Sequence, residues 1–351
     1  MAVSLCSCPA VFNKYRGYKA RRELYDFLPY ARLPAMVYEQ YGSPEVLELR
    51  EIEKPTPKDD EVLIQVVAAS VTPLDWHFLT GKPYIARLMA GLLKPKLQIL
   101  GVDVAGRVEA VGSNFKQFQP GDEVFGLSFI NGAFAEYLCV PESEMQMVLK
   151  PESISFEHAA AIPYAGFTAL VCLRDLGDIQ TGQKVLINGA SGGVGTHAVQ
   201  MAKSFGAEVT GVCSTRNLDM VRSIGADHVV DYTQEDFTET DRRYDLIFDA
   251  VRKRTFSDCK RVLKPEGIYV TTELSPSLML QKQWASMTGR QKLVPLPLMR
   301  PDNQLMLDLK ELLESGKVRP IIDRKYTLSG VPEALAYLGK GHARGKVVIT
   351  L

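Results

Sequence analysis

From Ala35 onward, apolar and polar positions alternate in short runs: AMVYEQYG, VLELREIE, EVLIQVVAASV, VAGRVEAVG, DEVFGLSF and FAEYLCVP. A period of two between turn residues predicts antiparallel strands, because alternate side chains face one core. Gly112, Gly121, Gly126 and Gly132 mark the corners, so residues 35–150 read as a barrel-like β domain. After Pro151 the texture changes to apolar strands alternating with helical segments. KVLINGA (184–190) leads into GVGTHAVQMAKSFG, EVTGVCS (208–214) into RNLDMVRSIG, and HVVDY, YDLIFDAV and GIYVTTEL follow. Strands separated by helices imply a parallel sheet with right-handed crossovers, a doubly wound unit over about 156–297. The helix-like DNQLMLDLKELLESG (302–316) and the strand-like IIDRKYTL and KVVITL close the chain. These last strands resemble the first part, so the α/β chain divides into an extension (1–34), a β-domain first part (35–155), a parallel-sheet domain (156–297) and a return to the β domain (298–351).

The 351 residues, at about 150 per domain, fit two domains. With 41 Lys+Arg against 41 Asp+Glu, no overall field draws the molecule to nucleic acid or anionic lipid. No run approaches the ~18 consecutive apolar residues of a membrane span. A small molecule is the expected partner and the cytoplasm the expected compartment. The zero charge is uneven: residues 1–34 carry +4, leaving −4 for the rest. This segment lacks the continuous apolar core of a secretory signal, and Glu23 and Asp26 speak against an organelle-targeting helix; a surface-packed extension is the simpler reading. Six widely spread cysteines, with only Cys6 and Cys8 close, form no zinc spacing and demand no oxidising compartment.

The strongest chemical signal is Lys184-Val185-Leu186-Ile187-Asn188-Gly189-Ala190-Ser191-Gly192-Gly193-Val194-Gly195. A buried strand runs into a side-chain-free turn, and the following helix offers free N–H groups and a positive dipole end to a pyrophosphate. Gly189, Gly192 and Gly195 carry a G-x-x-G-x-x-G variant of the dinucleotide fingerprint. The next strand ends Val212-Cys213-Ser214-Thr215-Arg216 without the acid that an NAD site places on the ribose 2′-hydroxyl. Ser214 and Arg216 suit a 2′-phosphate, and Tyr232 at the end of the third strand can reach the same place. NADPH is the expected cofactor, with NADH the alternative.

Gly182-Gln183-x-x-Leu186 through Gly195 to Gln200-x-x-Lys203 resembles the signature of the zinc-free quinone oxidoreductase (zeta-crystallin-like) branch of the medium-chain dehydrogenase/reductases. Tyr41-Gly42-x-Pro44-x-Val46-Leu47, Gly101 to Gly106, Pro120-Gly121-Asp122-x-Val124, Gly132 to Tyr137, Gly225-Ala226-Asp227 and Gly345-Lys346-Val347-Val348 agree, over about residues 35 to 351. The resemblance implies a GroES-like β-barrel catalytic domain around a Rossmann domain, with the cofactor in the cleft between them. It also implies that Thr168 and Lys346 lie near the nicotinamide, that Val251 lines the cofactor, and that a homodimer forms through the sheet edge near Lys292–Met299. Zinc alcohol dehydrogenases share the superfamily. Where they carry metal ligands this chain reads Ser70-Val71-Thr72-Pro73-Leu74-Asp75 and Val102-Asp103, so no zinc is expected.

The chemistry that the resemblance implies is hydride transfer from NADPH to a quinone or an α,β-unsaturated carbonyl, in which donors must meet a developing enolate or phenolate oxygen. In the loop from Thr72 to Tyr84, Tyr84 is the first candidate for the substrate contact and His77 the second. Thr72 replaces the family's usual Asn. Asp249-Ala250-Val251-Arg252 departs from the usual Asp-x-Val-Gly, and the sequence leaves the direction of Arg252 open. A Met- and Trp-bearing stretch, Ser275–Arg290 with Met279, Trp284 and Met287, reads as packing or interface. The alternatives are a nucleotide-binding interaction protein without turnover and an alcohol dehydrogenase.

Overall fold

Spatial order, not chain order, organises the strands. The computed structural model describes residues 32–84, 86–129, 131–272, 278–283, 290–297 and 302–351; Cys6, Cys8, Trp284 and Met287 lie outside the described residues. Strands β1 (Arg32–Val37) and β2 (Glu48–Glu53) pair antiparallel. Next come β3 (Glu61–Val71), helices α1 (Pro73–Thr80) and α2 (Ala86–Ala90), then β4 (Asp103–Val111), β5 (Glu123–Leu127), β6 (Tyr137–Pro141) and β7 (Gln146–Leu149). Helices α3 (Phe156–Ala160) and α4 (Pro163–Leu170) lead to β8 (Lys184–Asn188), α5 (Gly193–Ser204), β9 (Glu208–Cys213), α6 (Leu218–Ser223) and β10 (His228–Asp231). β11 (Tyr244–Asp249), α7 (Phe256–Lys260), β12 (Leu263–Thr271), α8 (278–283) and β13 (Lys292–Pro295) follow. The chain ends with α9 (Asn303–Glu314), β14 (Ile322–Thr327), α10 (Val331–Gly339) and β15 (Lys346–Thr350).

The parallel sheet has the order β10-β9-β8-β11-β12-β13, the doubly wound arrangement. Its direction of winding reverses between β8 and β11. The loops that leave those two strands therefore face each other, and a ligand crevice opens between them. The seven-stranded sheet has the order β14-β15-β3-β4-β5-β7, with β6 also on β3. One edge of β3 is shared: its first half pairs with β6 and its last residues, Ala68–Val71, with β15. Val347, Val348 and Ile349 of β15 are fully buried, which explains why this final run is continuously apolar.

Helix α3, expected to belong with the parallel sheet, packs instead on β3, β4, β5 and β15. Its buried Ala159 and Ala160 are small enough to let the backbones approach. The C-terminal segment is tied to α5 as well. Gly345 N–H donates to Ser191 O (2.9 Å), and the amide of Arg319 and the side chain of Gln200 exchange two bonds. Among the described residues no helix is long and apolar enough to cross a membrane.

His197, on the inner face of α5, donates from Nδ1 to Gly193 O (2.7 Å), while its Nε2 is buried without a partner. Burial pushes its pKa down to about 4, with the Lys346 charge adding a smaller push. The folded value lies below the ordinary ~6.5, so the unfolded chain binds the proton first and stability is lost as pH falls from about 6.5 to 4. His197→Leu should flatten that part of the profile, by up to about 3 kcal/mol, in denaturant unfolding measured across this range.

Candidate active site

Gly189 sits at φ +85°, where a side chain is strained, and a Cβ there would lie 2.1 Å from Val251. A Cβ on Gly195 would lie 2.0 Å from Gly189 O, so α5 can press against the turn only because the residue is glycine. On Gly192 a Cβ would meet nothing nearer than Gly189 O at 3.5 Å. That open side is the cradle. No side chain caps α5, so the first-turn N–H groups, from Gly193 onward, have no helical partner and remain available to an anion.

Two cavities of about 340 Å³ each meet at this turn and share Gly189, Gly192, Val251, Gly341 and Ala343. The first is lined by Ser191, Ser214, Arg216, Tyr232 and Lys253, with Glu235 the acid among them. Asn217 organises its wall: the side-chain amide donates to Ser191 Oγ (3.0 Å) and Ser214 Oγ (3.3 Å), and its oxygen is buried without a donor. Sequence reading missed Asn217, which looks like an ordinary helix-start residue. Arg216 donates to His342 O (2.9 Å), closing the rim. Asp231 turns away to accept from Thr215 and Thr233 and does not line the cavity. This half sets the hydroxyls of Ser214 and Tyr232 and the cations of Arg216 and Lys253 beside the side-chain-free glycine turn.

The second cavity is lined by Val71, Pro73, Trp76, His77, Tyr164, Leu338 and Arg252. His77 Nδ1 donates to Lys82 O (2.8 Å), which leaves Nε2 as the free ring nitrogen. Burial lowers its pKa and the Arg252 charge lowers it further, so the ring is neutral at pH 7 and Nε2 accepts rather than donates. Tyr164 donates its backbone N–H to Asp103 Oδ1 (2.7 Å), which pins the start of α4. Burial, together with the charges of Asp103 and Asp75, pushes its phenol up to about 12, so the hydroxyl keeps its proton.

Beneath the cavity lies a buried ion pair. Lys346 Nζ is 3.0 Å from Asp103 Oδ2, with side-chain exposures of 4% and 0%. Ser70 donates to the same oxygen at 2.5 Å. Lys346 thus touches the cavity but commits its charge to Asp103.

The other expected site residues land elsewhere. Thr72 does not reach the cleft: its hydroxyl and N–H are bound to Asp75 in a capping box that starts α1. The sequence signal was present, as Thr72-Pro73-Leu74-Asp75 is a capping box with proline at the first helical position. Burial raises the Asp75 pKa to about 6, against its bonds from Thr72 and the Gly101 amide. Tyr84 is 71% exposed and stacks under Arg87, outside the lining, because the chain turns outward after Gly81. Thr168 is buried and donates to Tyr164 O (2.8 Å), one turn behind the cavity wall. Arg252 is the residue whose direction the structure supplies. Its backbone is at φ +60°, held there by Asp249, which accepts from the N–H groups of Val251 (3.0 Å) and Arg252 (2.9 Å).

Removing the ammonium should leave Asp103 buried and unpaired. Lys346→Met is expected to cost about 3–5 kcal/mol. Adding Asp103→Asn should recover most of that loss; a double-mutant cycle by chemical denaturation reads the coupling.

A family model described as alcohol dehydrogenase GroES-like domain matches residues 58–152, and one described as zinc-binding dehydrogenase matches residues 224–349. The chain is 34% identical over 330 residues to the chloroplast envelope quinone oxidoreductase homolog of Arabidopsis thaliana, covering 90% of this chain and 97% of that one. It is 34% identical over 334 residues to the 2-methylene-furan-3-one reductase of Solanum lycopersicum, covering 91% and 79%. Among solved structures, the quinone oxidoreductase from Coxiella burnetii aligns with a TM-score of 0.82 and 30% identity, over 91% of this chain and 99% of that one. With these relatives covered over 79% to 99% of their own length, the chain belongs to the medium-chain dehydrogenase/reductase superfamily, as an oxidoreductase that works with a nicotinamide cofactor.

Proposed function

We propose that the protein reduces a quinone or an α,β-unsaturated carbonyl with NADPH and without a metal. The observation that carries this reading is the cavity lined by Val71, Pro73, Trp76, Tyr164 and Leu338, whose wall also includes Gly189 and Gly192 to Gly195 of the turn. The reduced nicotinamide, when bound, supplies a hydride. The chain's own residues bind, dry and polarise. The N–H groups at the start of α5 hold the pyrophosphate, and Val71, Pro73, Trp76 and Leu338 exclude water from the acceptor. As the acceptor's carbon gains the hydride, charge grows on its oxygen, and the protonated Tyr164 phenol is the donor placed to meet it. His77, neutral, takes a hydrogen bond from the hydroxyl that a reduced quinone acquires.

The donor set does not fit zinc. At the positions where a zinc dehydrogenase has ligands, Ser70 donates to Asp103 and Asp103 is paired with the Lys346 ammonium, a cation already in place. Among the described residues no group of three His, Cys, Asp or Glu side chains could hold a metal ion.

Chelator-treated protein should oxidise NADPH, followed at 340 nm, with members of a panel of quinones and enones. Tyr164→Phe should lower kcat by about 10²-fold with little change in the KM for NADPH. Stoichiometric zinc, or no turnover with any acceptor, would sink the reading.

The NADPH preference rests on Ser214 and Arg216 after β9, with Lys253 opposite. Arg216→Ala should raise the KM for NADPH about tenfold or more and that for NADH far less. Equal changes for both cofactors would refute the assignment.

A further inference from the structure

Arg252 occupies a position that backbone geometry would give to glycine. A left-handed conformation costs a residue with a Cβ about 1 kcal/mol, and Asp249 holds Arg252 there with two backbone bonds. The side chain brought in at that cost is a guanidinium on the wall of the substrate cavity. Its neighbours divide otherwise: Lys253 and Arg254 line the ribose half, whereas Arg252 lines the half that contains Trp76, His77 and Tyr164. Arg254 is paired with Asp236 (2.7 Å). Arg252 has no ion pair among the described residues. Among the described residues no Asp or Glu lines its cavity. The other cation there, Lys346, is already neutralised by Asp103. Arg252 is close enough to be felt by its neighbours, since its charge acts on both His77 and Tyr164.

We propose that Arg252 makes this cavity selective for an anionic acceptor: an enone or quinone bearing a carboxylate or similar anion beside its reducible carbonyl. The planar unsaturated part lies against Trp76 and the apolar wall. The anion meets the fork of Arg252, which suits a carboxylate bidentately. A neutral acceptor of the same shape leaves the guanidinium without its partner. The inference rests on the reductase reading and narrows its substrate class.

The test compares (E)-3-benzoylacrylate with its methyl ester in wild-type protein, Arg252→Gly and Arg252→Lys. Arg252→Gly relieves the left-handed backbone and should fold at least as well as wild type, checked by thermal unfolding; Arg252→Asn, tolerant of the same conformation, serves as a second neutral variant. The expected result is a loss of kcat/KM with the acid at least about tenfold larger than the loss with the ester in both neutral variants. Arg252→Lys should retain part of the preference. Equal losses with acid and ester, or a KM for NADPH that rises alongside with both, would overturn the proposal. Calorimetric titration of NADP⁺-loaded protein with the acid and the ester separates the two levels. Tighter binding of the acid that disappears in Arg252→Gly, with no turnover of either compound, keeps the anion site and sinks the reductase. Turnover of both compounds with no Arg252-dependent preference keeps the reductase and sinks the anion site.

Discussion

The architecture of the cleft turns on one buried charge pair. Lys346 comes from the last strand, Asp103 from the start of β4, and the carboxylate also holds Ser70 at the end of β3 and the first turn of α4 through Tyr164. Four segments distant in the chain are thereby fixed at one point. Neither ion could be buried alone, because an unpaired charge in that interior costs several kcal/mol, so the segments must arrive together. Next to Lys346, Gly345 bonds to Ser191 of the glycine turn. The same short stretch therefore locks the β lobe internally and joins it to the cofactor lobe.

The other fixed point is Asp249, at the end of β11. It is buried, accepts from Asn188 (3.0 Å) and from Tyr269 (2.7 Å), and holds the turn that carries Val251 and Arg252. Asn188 ends β8 and so leads directly into the glycine turn. One carboxylate thus spaces the two loops that face each other across the crevice. The binding surface is built from backbone and small residues, and the polar groups that could act on a substrate project from the rigid ends of strands and helices. Such placement holds geometry better than mobile loops would.

Much of this was readable from residue order. The runs between turn residues became strands, although β3, β5 and β6 are buried along nearly their whole length and β2 is mostly exposed; the glycine turn was legible because Gly189 and Gly195 each meet a steric demand and Gly192 leaves one side open. The parallel sheet followed from strands alternating with helices. What could not be read depends on contacts between remote residues. Asp103 and Lys346 are 243 positions apart, and nothing local marks them as partners. Tyr164 sits in a run that reads as plain helix, and only the bond from its backbone N–H to Asp103 fixes the start of α4 at the cavity wall. Tyr84 differs for another reason: the resemblance places a tyrosine near the end of this loop, but here the side chain is exposed and outside the cavity lining. Thr72 was misread although its capping box was in plain view, because its place in a functional loop drew the interpretation toward chemistry.

The discontinuity of the β lobe sets an order of assembly. β3 waits for β15, and the contact between Val71 and Lys346 spans 275 positions. At about 5–20 residues per second of synthesis, the half of β3 that will pair with β15 stays open for roughly 15–55 s. The whole parallel sheet emerges within that interval and, made of local strand–helix–strand units, can close first. The lobe whose synthesis begins earlier is then the one completed last, on the surface of a cofactor domain already formed. Until then the last residues of β3, buried in the finished sheet, present unpaired N–H and C=O groups along one edge.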